Sequence, residues 1–373
     1  MNHNTKSKTS VIAIILLFST FFLLFSCAQE KAEWKGTVEE EDGVTVVKNP
    51  KEPMYREKVF SLEEELSIGV AEGRAEYMFS EIGTIAVGDE ERIYISDWKE
   101  IHIKVFDKDG MYLITIGRKG QGPGEFERIS GMQITHQKEL LVFDMNMRRI
   151  SFFTVAGKLI ETLSLSELRP FKLNMNSKRN FIITSFTLDL MTNQSITEFK
   201  IYDANLSLLN TIAAPGPRSL FNPFEPFFIW ELAKDDNIVY GYNKTYELQI
   251  LDSGGNLIKR IEKEYDPVKI TKEEKQEAEK KYSSPNKIEY PSFHPAYHNF
   301  TLDDEGRIYV QTFEKTEDGR GYYYDIFDAK GRYITKIPLK FTPRILKKNK
   351  LYTIEEDEEG YQVVKRYKVS WKY

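Results

Sequence analysis

The chain has 373 residues, of which 41% are hydrophobic and 29% charged, a globular composition that excludes an intrinsically disordered chain. Its net charge is −5 and it lacks a long basic run, which argues against nucleic-acid binding. Its single cysteine excludes an intramolecular disulfide.

Residues 1–26 have the pattern of a secretory signal peptide. Two lysines precede an apolar run at 11–25, which is shorter than the roughly 20 residues that a spanning helix needs. The run ends in Leu24-Phe25-Ser26-Cys27, which resembles the lipobox of bacterial lipoproteins, although Phe25 is bulkier than usual. The resemblance implies a lipid on Cys27 and an outer-membrane lipoprotein facing the periplasm or the cell surface. The alternative is an uncleaved signal anchor.

Residues 27–55 are rich in Glu and Lys and contain prolines at 50 and 53. This composition predicts a flexible tether between the lipid anchor and a folded part at 56–373.

The folded part consists of repeats. An apolar strand, a polar turn, a second strand, a Gly turn and a third strand recur five times, and a shorter sixth copy covers 350–371. The apolar anchors near the end of each third predicted strand are Phe106, Phe153, Tyr202, Leu251, Phe327 and Tyr367. They are 40–49 residues apart, except for one gap of 76 that contains an insertion at 264–299. This period predicts an all-β, six-bladed β-propeller of four-stranded antiparallel blades.

Four short turns, at 107–110, 155–157, 252–255 and 328–331, link the third and fourth predicted strands and end in Gly. Gly accepts the positive φ that closes such a turn, so these segments predict β-hairpins.

The two ends of the chain complement each other. The sixth copy ends after its third strand, and the segment at 58–69 is a strand without a hairpin partner. We therefore expect the N-terminal strand to complete blade six and close the ring, because closure removes an exposed sheet edge.

The segment AVGDEERIYISDWKEIHIKVFDKDGMYLITIGRKGQGPGEF, at 86–126, resembles an NHL-type blade. Together with the lipobox, it is similar to the six-bladed β-propeller lipoproteins of Gram-negative bacteria. The resemblance implies the fold over about 56–373 but no catalytic residue.

The Gly-rich stretch GRKGQGPGEF at 117–126 raises the possibility of a phosphate loop. It lacks the Gly-Lys-Ser/Thr ending of a P-loop, and no helix pattern follows it. We interpret it as a connector between blades, with Phe126 as its anchor and a degenerate copy at 70–79.

Connections from strand four to the next blade, and from strand two to strand three, emerge on one face of a propeller. Both long insertions, 214–230 and 264–299, belong to these connections, so this face is the candidate binding surface. The candidate binding residues on it are Asp97, Trp98, Arg118, Glu125, Arg148, Arg149 and Trp230. We expect a peptide, a glycan or an envelope protein as partner.

The insertion at 264–299 contains a helix signal, in which Thr271 caps the helix and Glu274 completes a capping box. It forms either a lid over the central channel or a solvated helix held by the aromatic residues around it. His294 and His298 have metal-ligand spacing but no evident third ligand, which makes them weak metal candidates and favours a packing role.

These observations favour a monomeric binding or scaffold module without a cofactor. The alternative is an enzyme, a lyase or hydrolase, with a site at the channel mouth, because catalytic groups converge in space rather than in sequence.

Overall fold

A computed structural model describes residues 33–189, 191–213, 216–219, 222–282 and 288–373. The predicted signal peptide and Cys27 lie outside the described residues. No helix in the part of the chain that the structure describes is long and apolar enough to cross a bilayer.

The N-terminal segment contains three strands before the first blade begins. They are β1 (Thr37–Glu41), β2 (Val44–Asn49) and β3 (Phe60–Ile68). A single 3-10 turn follows at Ala75–Tyr77.

Blades one to three follow in chain order, each an antiparallel sheet. Blade one contains β4 (Ile82–Val87), β5 (Ile93–Asp97), β6 (His102–Phe106) and β7 (Tyr112–Ile116). Blade two contains β8 (Ile129–Ile134), β9 (Glu139–Asp144), β10 (Arg149–Thr154) and β11 (Leu159–Ser164). Blade three contains β12 (Pro170–Met175), β13 (Phe181–Asp189), β14 (Gln194–Tyr202) and β15 (Leu208–Ala213), with the short β16 (Arg218–Ser219) beside β14.

Blades four to six complete the ring. Blade four contains β17 (Phe228–Leu232), β18 (Ile238–Tyr242), β19 (Glu247–Leu251) and β20 (Leu257–Lys263), and the helix α1 (Lys272–Lys281) follows it. Blade five contains β21 (Asn299–Leu302), β22 (Ile308–Lys315), β23 (Tyr322–Phe327) and β24 (Tyr333–Leu339). Blade six contains β25 (Ile345–Lys347), β26 (Lys350–Glu356), β27 (Gln362–Trp371) and the N-terminal β3.

Pairing between the two ends of the chain closes the ring, which confirms the prediction for the N-terminal strand. β3 lies antiparallel to β27, with Ile68 opposite Val364 and Phe60 opposite Trp371. Phe60 and Ile68 are buried at the two ends of this strand. Blade six therefore contains residues from both ends of the chain.

The core lies between the blades. Each hydrophobic cluster of the described residues contains side chains from two successive blades, because one blade cannot bury both of its faces alone. All six predicted anchors lie on third strands, each in the cluster that its blade shares with the preceding blade. Phe106, for example, packs with Ile68 of blade six, and Phe153 packs with Ile116 of blade one.

The glycines that end the predicted hairpin turns also stabilise the contact between blades. Gly110, Gly157, Gly255 and Gly331 have φ between 81° and 89°, as the turn chemistry predicts. Each of them packs on the fourth strand of the preceding blade. A Cβ on Gly157 would lie 2.8 Å from Ile114 Cδ1, and one on Gly331 would lie 2.7 Å from Ile261 Cγ1.

We expect Gly157→Ala to lower the free energy of unfolding by about 2–4 kcal/mol, because it combines a left-handed backbone with a steric clash. Gly319→Ala is the matched control, since Gly319 has a φ of 69° and no atom within 4 Å of a built Cβ. It should cost only about 1–2 kcal/mol for the backbone conformation. Urea unfolding of both variants measures the difference, and equal losses would contradict the packing role of Gly157.

The flexible tether predicted at 27–55 is wrong for residues 37–49. β1 and β2 form a hairpin, and β2 pairs in parallel with β20 on the outer edge of blade four. Asp42 and Gly43 have positive φ in the tight turn, a hairpin signal that the Glu-rich composition obscured. Val46 and Val47 are buried, so the apolar half of β2 gives this segment the packing that a tether lacks.

The hairpin and the residues after it tie blade four to blade five. The Asn49 side chain donates to the carbonyl of Gly331 at 3.0 Å and accepts from the Tyr333 N–H at 2.7 Å. The Tyr55 N–H donates to the Ile334 carbonyl at 2.8 Å, after which the chain enters β3. The N-terminal segment thus contacts blades four, five and six in turn.

Candidate ligand-binding site

A cavity of about 760 Å³ lies between blades three and four, on the face that carries both insertions. Its walls come from the inner strands β12 and β17, from the connection between the two blades, and from the insertion after blade four. The inner strands of the other neighbouring blades contact each other more closely. The cavity therefore lies where two neighbouring inner strands contact each other least, and its volume is typical of small-molecule sites.

Aromatic side chains form a large part of the described lining of the cavity. They are Phe171, Phe186, Phe227, Phe228, Trp230, Tyr242 and Tyr282. Phe171, Phe186 and Tyr242 are 56%, 40% and 38% exposed, so their rings are accessible to a ligand. Phe171 and Phe186 also meet edge to face at 5.4 Å. Such rings provide stacking and apolar surface for a bound molecule.

Irregularities in blade three orient this lining. The register of β12 against β13 shifts between Pro170 and Lys172, and this β-bulge places Phe171 outside the regular pairing. β13 and β14 continue to pair through Phe186↔Thr197 and Leu188↔Ser195. Since these extensions project beyond the core of the blade, they form a wall of the cavity.

Trp230, a predicted binding residue, lies on β17 at the base of the cavity and is only 2% exposed. Its Nε1 donates a hydrogen bond to Thr184 Oγ1 of blade three. The ammonium of Lys172 lies 4.6 Å from the centre of the indole ring and donates to the Trp230 carbonyl. Trp230 therefore joins the two blades and presents little surface to a ligand.

Besides Lys172, the cationic residue among the described lining residues is Arg218. Its position is fixed by strand pairing with Ser195 and by the Phe227 ring, which lies 5.3 Å from the guanidinium carbon. Its Nε is buried without a hydrogen-bond partner, and no described carboxylate forms an ion pair with it. Burial lowers the pKa of Arg218, and the nearby charge of Glu225 opposes this shift.

The insertion after blade four packs against the connection between blades three and four. The helix α1 has the predicted capping box between Thr271 and Glu274, and Tyr282 at its end lines the cavity. Phe224 contacts Tyr290 at 5.3 Å and His294 at 5.7 Å. The two insertions together form one wall of the cavity.

His294 and His298 are held by aromatic packing. His294 stacks on Phe313 at 4.2 Å and lies 3.3 Å from the Glu274 carboxylate, while His298 meets Phe227 edge to face. Burial lowers the pKa of both histidines, and Glu274 opposes the shift for His294. The described residues contain no group of three or more His, Cys, Asp or Glu that could hold a metal.

The predicted residues of blades one and two lie away from the cavity. Asp97 is buried at the end of β5, where it accepts hydrogen bonds from the backbone N–H groups of Ser80, Lys99 and Glu100. Asp144 has the same role in blade two, and Asn243 has a related one in blade four. Asp97 and Asp144, at the ends of the second strands, thus each join a blade connector to the turn between strands two and three.

The connector at 117–126 is held by Arg118, Glu125 and Arg149, and its predicted anchor Phe126 is buried. Arg118 pairs with Glu125 at 2.8 Å, Glu125 accepts from the Gly122 N–H, and Arg149 donates to carbonyls of the same loop. Phe126 is fully buried and contacts Phe153 at 5.8 Å.

The two remaining candidates of blades one and two differ in exposure. Arg148 donates to the Ser166 carbonyl at 2.9 Å. Trp98 is 42% exposed and lies beneath Arg128, whose guanidinium carbon is 5.2 Å from the ring centre. Trp98 is therefore the member of this group with the most accessible apolar surface.

A buried ionic cluster lies beside a smaller cavity of about 270 Å³ between blades four and five. Asp325 accepts hydrogen bonds from the Tyr246 and Tyr333 hydroxyls at 2.7 and 2.8 Å. Lys263 lies 3.4 Å from the same carboxylate, and its side chain is only 4% exposed. Burial lowers the pKa of Lys263, and Asp325 opposes the shift. The charged and hydroxyl groups of this cluster are thus paired with one another by ionic contacts and hydrogen bonds.

Comparison with known proteins agrees with this architecture. A family model described as a 6-bladed beta-propeller, DUF5128, matches residues 70–364, so the chain belongs to that family. No curated protein matches the chain.

Solved structures show the same fold. A Bacteroides fragilis protein provisionally described as exported is 11% identical, with a TM-score of 0.59 over 88% of this chain and all of its own. A DUF4221 protein of Bacteroides vulgatus is 13% identical, with a TM-score of 0.51 over 84% of this chain and 99% of its own. At these identities the similarity concerns the fold alone.

Proposed function

We propose that this member of the 6-bladed beta-propeller family is a lipid-anchored binding protein of the bacterial envelope. Its ligand enters the aromatic cavity between blades three and four. The observation that carries the proposal is the cavity itself, since both long insertions of the chain contribute to its walls. Variable loops on a rigid scaffold are the usual location of binding sites.

The sequence around Cys27 supports the anchoring part of the proposal. Its lipobox-like pattern follows an apolar run of signal-peptide length. Trp34, seven residues after Cys27, donates from its indole to Asn49 at 2.9 Å and so belongs to the folded part. Seven residues span at most about 25 Å. Anchoring at Cys27 would therefore keep the propeller close to the bilayer.

Expression of the full chain with and without Cys27→Ala tests the anchor. The wild-type protein should fractionate with membranes and carry a lipid mass on Cys27, and the variant should lose both properties. An unmodified and uncleaved N-terminus in the wild-type protein would contradict lipidation.

A binding screen against peptides and glycans tests the cavity, with Tyr242→Ala and Trp98→Ala as matched variants. Both residues are exposed aromatics near the end of a second strand, at 38% and 42% exposure, but only Tyr242 lines the cavity. Tyr242→Ala should weaken binding about tenfold, because truncation of a contacting aromatic residue costs roughly 1–2 kcal/mol. Trp98→Ala should leave affinity unchanged.

If Trp98→Ala weakened binding and Tyr242→Ala did not, the ligand site would lie on blades one and two, where most of the residues predicted from the sequence are found. Recovery of a chemically altered ligand after incubation would instead favour the enzyme alternative. The screen should therefore include mass analysis of each bound compound.

A further inference from the structure

We infer that the cavity accepts an organic anion, with its carboxylate held by the guanidinium of Arg218 and its apolar body against the aromatic rings. This inference rests on the proposed function, because it names the ligand class for the same cavity.

The two described cationic side chains that line the cavity, Lys172 and Arg218, differ in whether they have a counter-ion. Lys172 forms an ion pair with Glu231 at 2.7 Å and also donates to the Trp230 carbonyl. The Arg218 side chain has neither an ion pair nor a hydrogen bond within the described ranges. The Glu225 carboxylate instead accepts a hydrogen bond from the Ser219 N–H at 2.8 Å. Of the two described Lys and Arg residues that line the cavity, Arg218 is thus the one without an ion pair.

The surroundings of Arg218 suit it to bind an anion. A half-buried guanidinium without a counter-ion is destabilised by desolvation, and a bound carboxylate would remove that cost. The planar guanidinium donates two parallel hydrogen bonds to one carboxylate. Pairing of Arg218 with Ser195 and contact with Phe227 hold the group in place before a ligand arrives.

The rest of the lining determines what accompanies the carboxylate. Phe171 and Phe186 expose much of their rings on the blade-three wall, and Tyr242 does so on the blade-four side. Apolar and aromatic groups bury favourably against such surfaces. A carboxylate with an aromatic or aliphatic body therefore matches the cavity better than a neutral sugar does.

Calorimetric titration of the full chain in detergent with two acids and their amides tests the inference. N-acetyl-L-phenylalanine represents a peptide C-terminus, and 3-phenylpropanoate represents a free aromatic acid. At least one acid should bind ten times more tightly than its amide, and which acid binds distinguishes the two sources. Arg218→Met should lower that affinity at least tenfold, and Arg218→Lys should lower it less.

Two controls separate recognition from folding. Arg118→Met removes an exposed arginine of the blade-one connector and should leave affinity unchanged. The thermal midpoint of Arg218→Met should equal or exceed that of the wild type, because the variant removes an unpaired charge.

Equal binding of acids and amides, or full affinity in Arg218→Met, would overturn the anion inference but leave the proposed function standing. If galacturonate oligomers bound in an Arg218-dependent way and neither aromatic acid bound, the inference that the ligand has an apolar body would be contradicted. If only ligands unaffected by Tyr242→Ala were found, the proposed function itself would fail.

Discussion

Deletion of residues 56–69 should leave a chain that does not unfold cooperatively. The deletion removes β3, the fourth strand of blade six, and with it Phe60 and Ile68 from two hydrophobic clusters. It also exposes the edge of β27, a ten-residue strand that would pair with other chains. Urea unfolding followed by circular dichroism, together with size-exclusion chromatography, should show loss of the transition and aggregation.

Two comparisons make this result specific to ring closure. Deletion of 37–49 removes the outer hairpin of blade four but leaves β3 in place, so it should yield a folded, less stable protein. A synthetic peptide of residues 56–69 added during refolding should restore part of the transition by re-forming the β3–β27 pair. A stable, monomeric 56–69 deletion variant would show that the propeller folds without closure of the ring.

Asp325→Asn should lower the free energy of unfolding by about 3–5 kcal/mol, the usual cost of breaking a buried ion pair. Asp325 is 1% exposed, and its loss leaves the ammonium of Lys263 buried without a counter-charge. The double variant Asp325→Asn/Lys263→Met should recover most of the loss, because the stranded charge is then absent.

The exposed pair of Glu64 and Lys365, at 2.9 Å on blade six, provides the control. Glu64→Gln should cost less than about 1 kcal/mol, as is typical of surface ion pairs. Urea unfolding of the four proteins at pH 7 measures these differences. Equal losses in Asp325→Asn and Glu64→Gln would mean that water reaches the buried cluster and screens it.

Much of the fold could be predicted because its signals are local. The anchors and the turn glycines repeat at short range, and β3 has the pattern of a strand that lacks a neighbour. The outer hairpin was missed because its partner is distant in the sequence, with Thr45 opposite Lys259. Its Glu-rich first strand also has the composition of a linker.

The candidate site was predicted less completely. The face and its two insertions follow from blade topology, which fixes where connections emerge. The importance of Arg218 does not, because it depends on strand pairing with Ser195 and on the lack of an ion pair with any described carboxylate. The sequence predicts a binding role for Asp97 because it is a carboxylate beside a turn, and only the structure shows its three backbone N–H donors.

The use of both chain ends in the ring also constrains how the protein is made. Asn49 is synthesised 282 residues before its partner Gly331, and β3 has to wait even longer for β27. At roughly 5–20 residues per second, β3 remains without its partner strand for about 15–60 s of synthesis. Such long-range pairing makes folding slow. The β3–β27 pair therefore cannot form before β27 has been synthesised, and a chain that stops before β27 has an open ring.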